Sequence, residues 1–200
     1  MVKLTALVIL KWNGETSEPF LCGVSTDVSS FGYFQRATVK EMINCVSRII
    51  IKRTSPGQRQ TVEHEEYLCH AFNREGLAAI AFADKTYPRR SAFCVLNKVL
   101  DDYTSRFGNG WRSMTADTTE GNPLLETAIA DFQDPVKADG ILKVQRELDE
   151  TKIVLHKTID SVLARGEKLD NLVSKSTDLS MASQMFYRQA RKQNQCCKMM

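Results

Sequence analysis

Residues 148–172 read LDETKIVLHKTIDSVLARGEKLDNL. Within them Leu148, Thr151, Leu155, Thr158, Val162, Arg165, Leu169 and Leu172 follow one another at alternating intervals of three and four residues. That alternation is the heptad signature of a helix that packs against other helices. Outward from this stretch the register runs back to Val144 and Ile141. It runs forward through Ser176, Leu179, Ser183, Phe186, Ala190 and Gln193. A register of about seven heptads predicts one coiled-coil helix over residues 141–193, roughly 80 Å long if straight at about 1.5 Å per residue.

Arg165 stands where a coiled coil places a leucine. A guanidinium carries five donors and no acceptor, so burying it requires oxygens from the facing helices. A parallel homodimer would set Arg165 against its own copy and leave both charges unpaired. The polar seam residues Thr151, Thr158, Ser176, Ser183 and Gln193 weaken self-pairing further. So does Gly166, since glycine inside a helix costs about 1 kcal/mol relative to alanine. The seam therefore asks for different partners that bear acceptors at this level. An exposed arginine on a solvated face is the plain alternative for this one residue.

Residues 1–133 have a different grammar. Val2 to Trp12 and Phe20 to Ser25 read as strands, joined across the turn signal Asn13-Gly14. Val39, Met42, Ile43, Val46, Ile49 and Ile50 recur at helical spacing, ending at Thr54-Ser55-Pro56-Gly57. Gln60 to Val62 with Tyr67 to Phe72, and then Leu77 to Ala83, read as further strands. The last is apolar on both faces, as a covered central strand must be. Pro88 opens a second helix carrying Phe93, Leu96, Val99, Leu100, Tyr103 and Phe107. Trp111 to Pro123 reads as loop, and Leu124 to Phe132 as a short third helix stopped before Pro135. This order predicts a compact α+β domain, large enough for its own core. Residues 134–140 read as a linker to the coiled coil.

At the far end, Arg188, Arg191 and Lys192 precede Cys196 and Cys197. Cys197-Lys198-Met199-Met200 fits a prenylation box, whose terminal Met favours farnesyl on Cys197. Cys196 beside it is a candidate for palmitoylation. One lipid chain anchors marginally and two anchor stably, while the basic cluster adds attraction to anionic lipid. A redox pair or a metal site are the other readings of the two cysteines, though no further Cys or His stands near them. Cys22, Cys45, Cys69 and Cys94 lie singly in apolar segments, as buried reduced thiols do.

Other classes have little to build on. A formal net charge of +3 is too small to imply nucleic acid, and no RNP-like, zinc-finger or phosphate-loop motif accompanies it. No apolar run approaches the roughly 18 residues of a membrane span. The apolar start of the chain runs straight into Lys11-Trp12 without a cleavage site, which favours a buried strand over a signal peptide. For an enzyme, His64, His70 and His156 are isolated, and Asp101-Asp102 reads as a solvated helix face. No catalytic residue, metal site or cofactor is expected.

Five segments together carry a family resemblance: ELDETKIVLHKTIDSVLARGEKLDNLVSKS (147–176), MFYRQARKQN (185–194), the Cys-Cys-x-x-Met ending, SSFGYFQR (29–36) and GQRQ (57–60). The chain resembles the longin-domain R-SNAREs of the synaptobrevin family over essentially its whole length. The resemblance implies a longin domain at 1–133, a five-stranded antiparallel sheet with one helix on one face and two on the other. It implies an R-SNARE motif at 141–193 and a lipidation tail at 194–200. Arg165 becomes the ionic layer facing three glutamines from Q-SNARE helices, in a four-helix bundle that draws membranes together. It implies a farnesyl on Cys197, a palmitoyl on Cys196, and work on the cytoplasmic face of the ER, Golgi, endosome, vacuole or lysosome and autophagosome. It also implies that the longin domain folds back on its own SNARE segment. Met42 and Cys45 occupy positions where relatives tend to place phenylalanines for that contact, and Lys198 occupies a usually aliphatic position. A lipid-anchored tether that does not fuse membranes, and an acyl-transfer protein acting through its terminal cysteines, are the competing classes.

Overall fold

The computed structural model describes residues 3–142 and 152–197, with side chains over 3–138 and 152–191. Its centre is a sheet in the order β2-β1-β5-β4-β3-β6. The strands are β1 (Leu4–Lys11), β2 (Phe20–Thr26), β3 (Arg59–His64), β4 (Tyr67–Arg74), β5 (Leu77–Asp84) and β6 (Ile153–His156). The first five pair antiparallel. β5 lies between β1 and β4, which is why Leu77–Ala83 is apolar on both faces and fully or almost fully buried.

Strand alternation divides the core. Val8, Leu10, Ala78 and Ile80 face α1 (Arg36–Lys52), which packs Ile43, Val46, Ile50 and Ile51 against them. Leu7, Ile9, Ala79 and Ala81 face α2 (Arg89–Phe107) and α3 (Asn122–Asp131), which bring Phe93, Leu96, Val99, Leu125 and Ile129. One helix thus covers one face and two cover the other. Within 111–123, a 3-10 turn over Gly110–Ser113 buries Trp111. α3 starts hard against β2: a Cβ on Gly23 would stand 2.7 Å from the Gly121 Cα.

Two expectations change. The linker assigned to 134–140 is instead helical from Pro135, forming α4 (Pro135–Leu142), and Ala138 is fully buried in the α2 side of the core. The cause is local. Asp134 Oδ1 accepts the Val136 N–H at 3.0 Å as an N-cap, and Pro135 takes the first helical position, which suits its missing N–H.

The larger change lies beyond residue 151. The single helix over 141–193 is not formed. Its described part is the last two residues of α4, then β6, a 3-10 turn over Ile159–Ser161, α5 (Leu169–Lys175) and α6 (Met181–Cys197). Val144, Leu148 and Thr151 lie outside the described residues, as does the Ile141 side chain. Gly166 sits at φ +89°, a left-handed turn that helix geometry forbids. Ile153 to His156 adds a parallel sixth strand to the β3 edge, in the register Arg59↔Ile153 to Val62↔His156. An uncovered edge presents unpaired backbone groups, and a β-branched run such as Ile153-Val154 suits it. A heptad seam without partner helices has no such burial to gain.

Candidate functional site

The contact between the 152–191 segment and the domain is the feature of this molecule from which function can be read. Ile159, Leu169, Val173 and Leu179 are buried in the α1 side of the core. Fully burying side chains of this kind is worth about 1.5–3 kcal/mol each, so apolar burial dominates the contact.

The face that docks coincides only in part with the heptad seam. Ile159 and Val173 lie off the seam. Of the seam residues, Leu169, Leu179 and Ser183 are buried, while Val162, Leu172, Ser176 and Ala190 are half-buried. Leu155, Thr158, Arg165 and Phe186 are exposed. Arg165 thus meets solvent, on the turn made by Gly166.

Polar groups fix the register. Arg53 Nη2 pairs with Glu167 Oε2 at 2.7 Å. Arg48 Nε lies 2.8 Å from Asp178 Oδ2. The Ser180 N–H donates to Glu41 Oε2 at 2.8 Å, and the Ser183 hydroxyl donates to Thr38 Oγ1 at 3.2 Å. Ser180 is the N-cap of α6, its hydroxyl accepting the Ser183 N–H at 3.2 Å. A capping box would return a carboxylate from the helix's own third residue. Here that residue is Ser183, and the carboxylate comes from α1. Burial works to raise the Glu41 pKa, but the hydrogen bonds from Ser180 and Ser183 outweigh it and hold the carboxyl below its ordinary value. Within the segment, Asp170 receives the Tyr187 hydroxyl at 3.0 Å and pairs with Arg191, tying α5 to α6.

Met42 and Cys45 both reach this segment. Met42 lines an apolar cavity of about 220 Å³ between α1 and α6, with Val39, Val46, Phe186, Tyr187 and Ala190 in its wall. Cys45 is buried beside Ser176, and burial pushes its thiol above the ordinary range. Cys22, Cys69 and Cys94 are also buried free thiols, Cys22 pushed up to about 12 by burial. Cys196 and Cys197 fall at the end of α6 with side chains outside the described residues, as are Lys198, Met199 and Met200.

The remaining candidates do not converge. His70 is fully buried with Nδ1 3.0 Å from Thr61 Oγ1. His156 belongs to β6, 3.3 Å from the Ser161 hydroxyl, rather than to a helix face. Asp101 pairs with Arg74 and Asp102 with Lys98 on α2. Among the described residues no three Cys, His, Asp or Glu gather as metal ligands, and no helix is long and apolar enough to cross a membrane. Sequence reasoning missed Glu41, Arg48, Asp117 and Asp178. A signal existed for one of them: Arg48 follows Cys45 by one helical turn, placing a charge on a buried stripe.

Comparison with known families agrees with this architecture. The longin family pattern, described as a regulated-SNARE-like domain, matches residues 28–124, and the synaptobrevin pattern matches residues 140–200. A longin domain continued by a synaptobrevin segment defines the class: a longin-type SNARE, which is not an enzyme. Among individual proteins, the chain is 60% identical over 196 residues to the VAMP-like protein YKT61 of Arabidopsis thaliana, covering 98% of both chains. It is 47% identical over 198 residues to the synaptobrevin homolog ykt6 of Schizosaccharomyces pombe, again covering 98% of both. It is 48% identical over 181 residues to the synaptobrevin homolog YKT6 of Saccharomyces cerevisiae, covering 87% of this chain and 88% of that one. The chain belongs to the Ykt6 group of synaptobrevin-family R-SNAREs, proteins of SNARE-mediated membrane trafficking.

Proposed function

We propose that this R-SNARE drives fusion of endomembranes while anchored by lipid, through a four-helix bundle with three Q-SNARE helices, and that the docked segment is its autoinhibited form. The observation behind this is the mismatch between pattern and structure. Residues 141–193 carry one unbroken three-four register, yet the docked segment is broken and leaves Leu155, Arg165 and Phe186 of that register exposed. A register that the docked form uses only in part belongs to a second state, a continuous helix among partners.

In that state the seam residues face the bundle core, each leucine contributing burial of about 1.5–3 kcal/mol. Arg165 meets three glutamine carbonyls that satisfy its donors. Zippering proceeds from the N-terminal end of the helix toward the lipidated tail. The farnesyl on Cys197 lets the protein sample membranes, and the palmitoyl on Cys196 holds it there. In the docked form the apolar cavity beside α6 offers cover for such a chain. Compartments of action are the ER, Golgi, endosome, vacuole or lysosome and autophagosome, on their cytoplasmic faces. Liposome mixing with the three Q-SNARE helices tests this: lipidated protein should mix lipids, and protein shortened within 141–193 should not. Docking of vesicles without lipid mixing would favour the tether instead.

A further inference from the structure

Arg48 sits on α1 with 8% of its surface exposed. Three acceptors from three separate segments surround its guanidinium. Nη1 donates to the Pro19 carbonyl, before β2. Nη2 donates to Asp117 Oδ2 at 2.5 Å, in the stretch before α3. Nε lies 2.8 Å from Asp178 Oδ2, between α5 and α6, without the alignment of a hydrogen bond. The two carboxylates differ in allegiance. Asp117 belongs to the longin domain, where its Oδ1 also accepts the Leu21 N–H at 2.9 Å. Asp178 arrives only with the docked segment.

Removing one partner from a buried ion pair is costly because the other charge is left uncompensated. When the segment leaves, Arg48 keeps Asp117 and the Pro19 carbonyl, so undocking strands no buried charge. We propose that Asp117 and Asp178 compete for Arg48, and that Asp117 thereby limits how firmly the longin domain holds the SNARE segment. This rests on the fold-back reading above and adds a residue that sets its strength.

The charges around Asp178 agree. Burial, the largest influence, raises its carboxyl above the ordinary value; Arg48 opposes this, and Asp117 and Glu18 reinforce it. Glu18 is itself paired with Lys52 at 2.7 Å, and Lys175 and Cys45 also line this groove. With Asp117 charged, Asp178 therefore adds little to docking. In Asp117→Asn, Asp178 is the one carboxylate left within ion-pair distance of Arg48 among the described residues.

The test uses the full chain with Asp117→Asn, Asp178→Asn and the double variant; asparagine keeps the acceptor for the Leu21 N–H. Hydrogen exchange is followed at the β6 and Ser180 amides, with β1 and β5 amides reporting the domain. Asp117→Asn should slow exchange of the segment by about tenfold, the weight of one hydrogen bond to a charged group. It should also lower the titration midpoint of the Asp178 carboxyl followed by NMR, which a purely structural role would not do. Asp178→Asn alone should change little. In the Asp117→Asn background it should erase the gain and speed exchange beyond the wild type. Faster segment exchange in Asp117→Asn, or an unmoved Asp178 titration, would overturn the proposal. Wild-type β6 amides exchanging like unstructured peptide would overturn the fold-back reading and this inference together. A protected wild type with variants that behave additively sinks only the competition.

Discussion

At Ser180 the start of α6 depends on a side chain from another helix. Glu41 accepts the N–H that a capping box would satisfy internally, so α6 begins well only where α1 is beside it. Glu41→Gln removes the charge from that bond and should weaken docking by about 1 kcal/mol, within the range measured for caps. The pH dependence has a definite sign. Docking lowers the Glu41 pKa, so its contribution is present above the undocked value and is lost as pH falls through the lowered docked value. Asp178 works the other way: its docked carboxyl is raised, so acidification through that raised value relieves a penalty. Protection of the Ser180 amide, taken relative to its intrinsic exchange rate at each pH, should therefore rise slightly on mild acidification and fall on stronger acidification, and Glu41→Gln should remove the second phase. A second phase that persists in Glu41→Gln would assign it to another group.

Among the elements, those of the first 131 residues were legible because each is specified locally. Val39 to Ile50 announces α1 by its spacing, and Leu77–Ala83 announces a central strand by its double apolar face. α4 was not read because Asp134-Pro135 serves equally as a stop signal and as a cap with a first-turn proline, and only Ala138 reaching the core decides between them. β6 was hidden for another reason. Ile153 and Val154 sit within a heptad register, and the open edge of β3 that captures them lies some ninety residues earlier, invisible to any window. Met42 and Cys45 were found through resemblance, whereas Arg48, Asp117 and Asp178 meet only in three dimensions. Gly166 was visible as a cost to a helix but not as a turn at φ +89°. On the proposed fold-back, that makes it a two-sided switch point. Nothing lies within 4 Å of a Cβ added there, so Gly166→Ala acts through backbone alone. It should strain the docked turn by about 1 kcal/mol and favour the continuous helix by about 1 kcal/mol. Both effects push the same way. Stopped-flow assembly with Q-SNARE helices should be faster for Gly166→Ala, and an unchanged rate would mean that undocking does not limit assembly.

On the proposed function, the whole molecule is a chain whose last quarter has two destinations, and two of its features separate them. In that proposal lipid decides where the chain works: Cys197→Ser should abolish membrane association in cell fractionation, while Cys196→Ser should leave weak, reversible binding by the single remaining chain. In the same proposal Arg165 decides what the chain does there. In the docked form it is exposed on a turn, so Arg165→Ala should alter docking by no more than about 0.5 kcal/mol, the usual range for surface sites. In the bundle it would stand at the centre, its five donors meeting the three facing glutamines. Alanine there leaves three buried amides without their donor, each costing about 1–3 kcal/mol if unsatisfied. The same substitution should therefore leave hydrogen exchange at β6 and α6 as in the wild type and yet suppress liposome mixing severely. Few other substitutions in the segment can do this, because Leu169, Leu179 and Ser183 are buried in the docked form and would disturb both states. Wild-type mixing by Arg165→Ala would show that the seam does not close around this residue, and would return the molecule to the tether reading. Disturbed docking would show that the exposed turn contributes to the closed state.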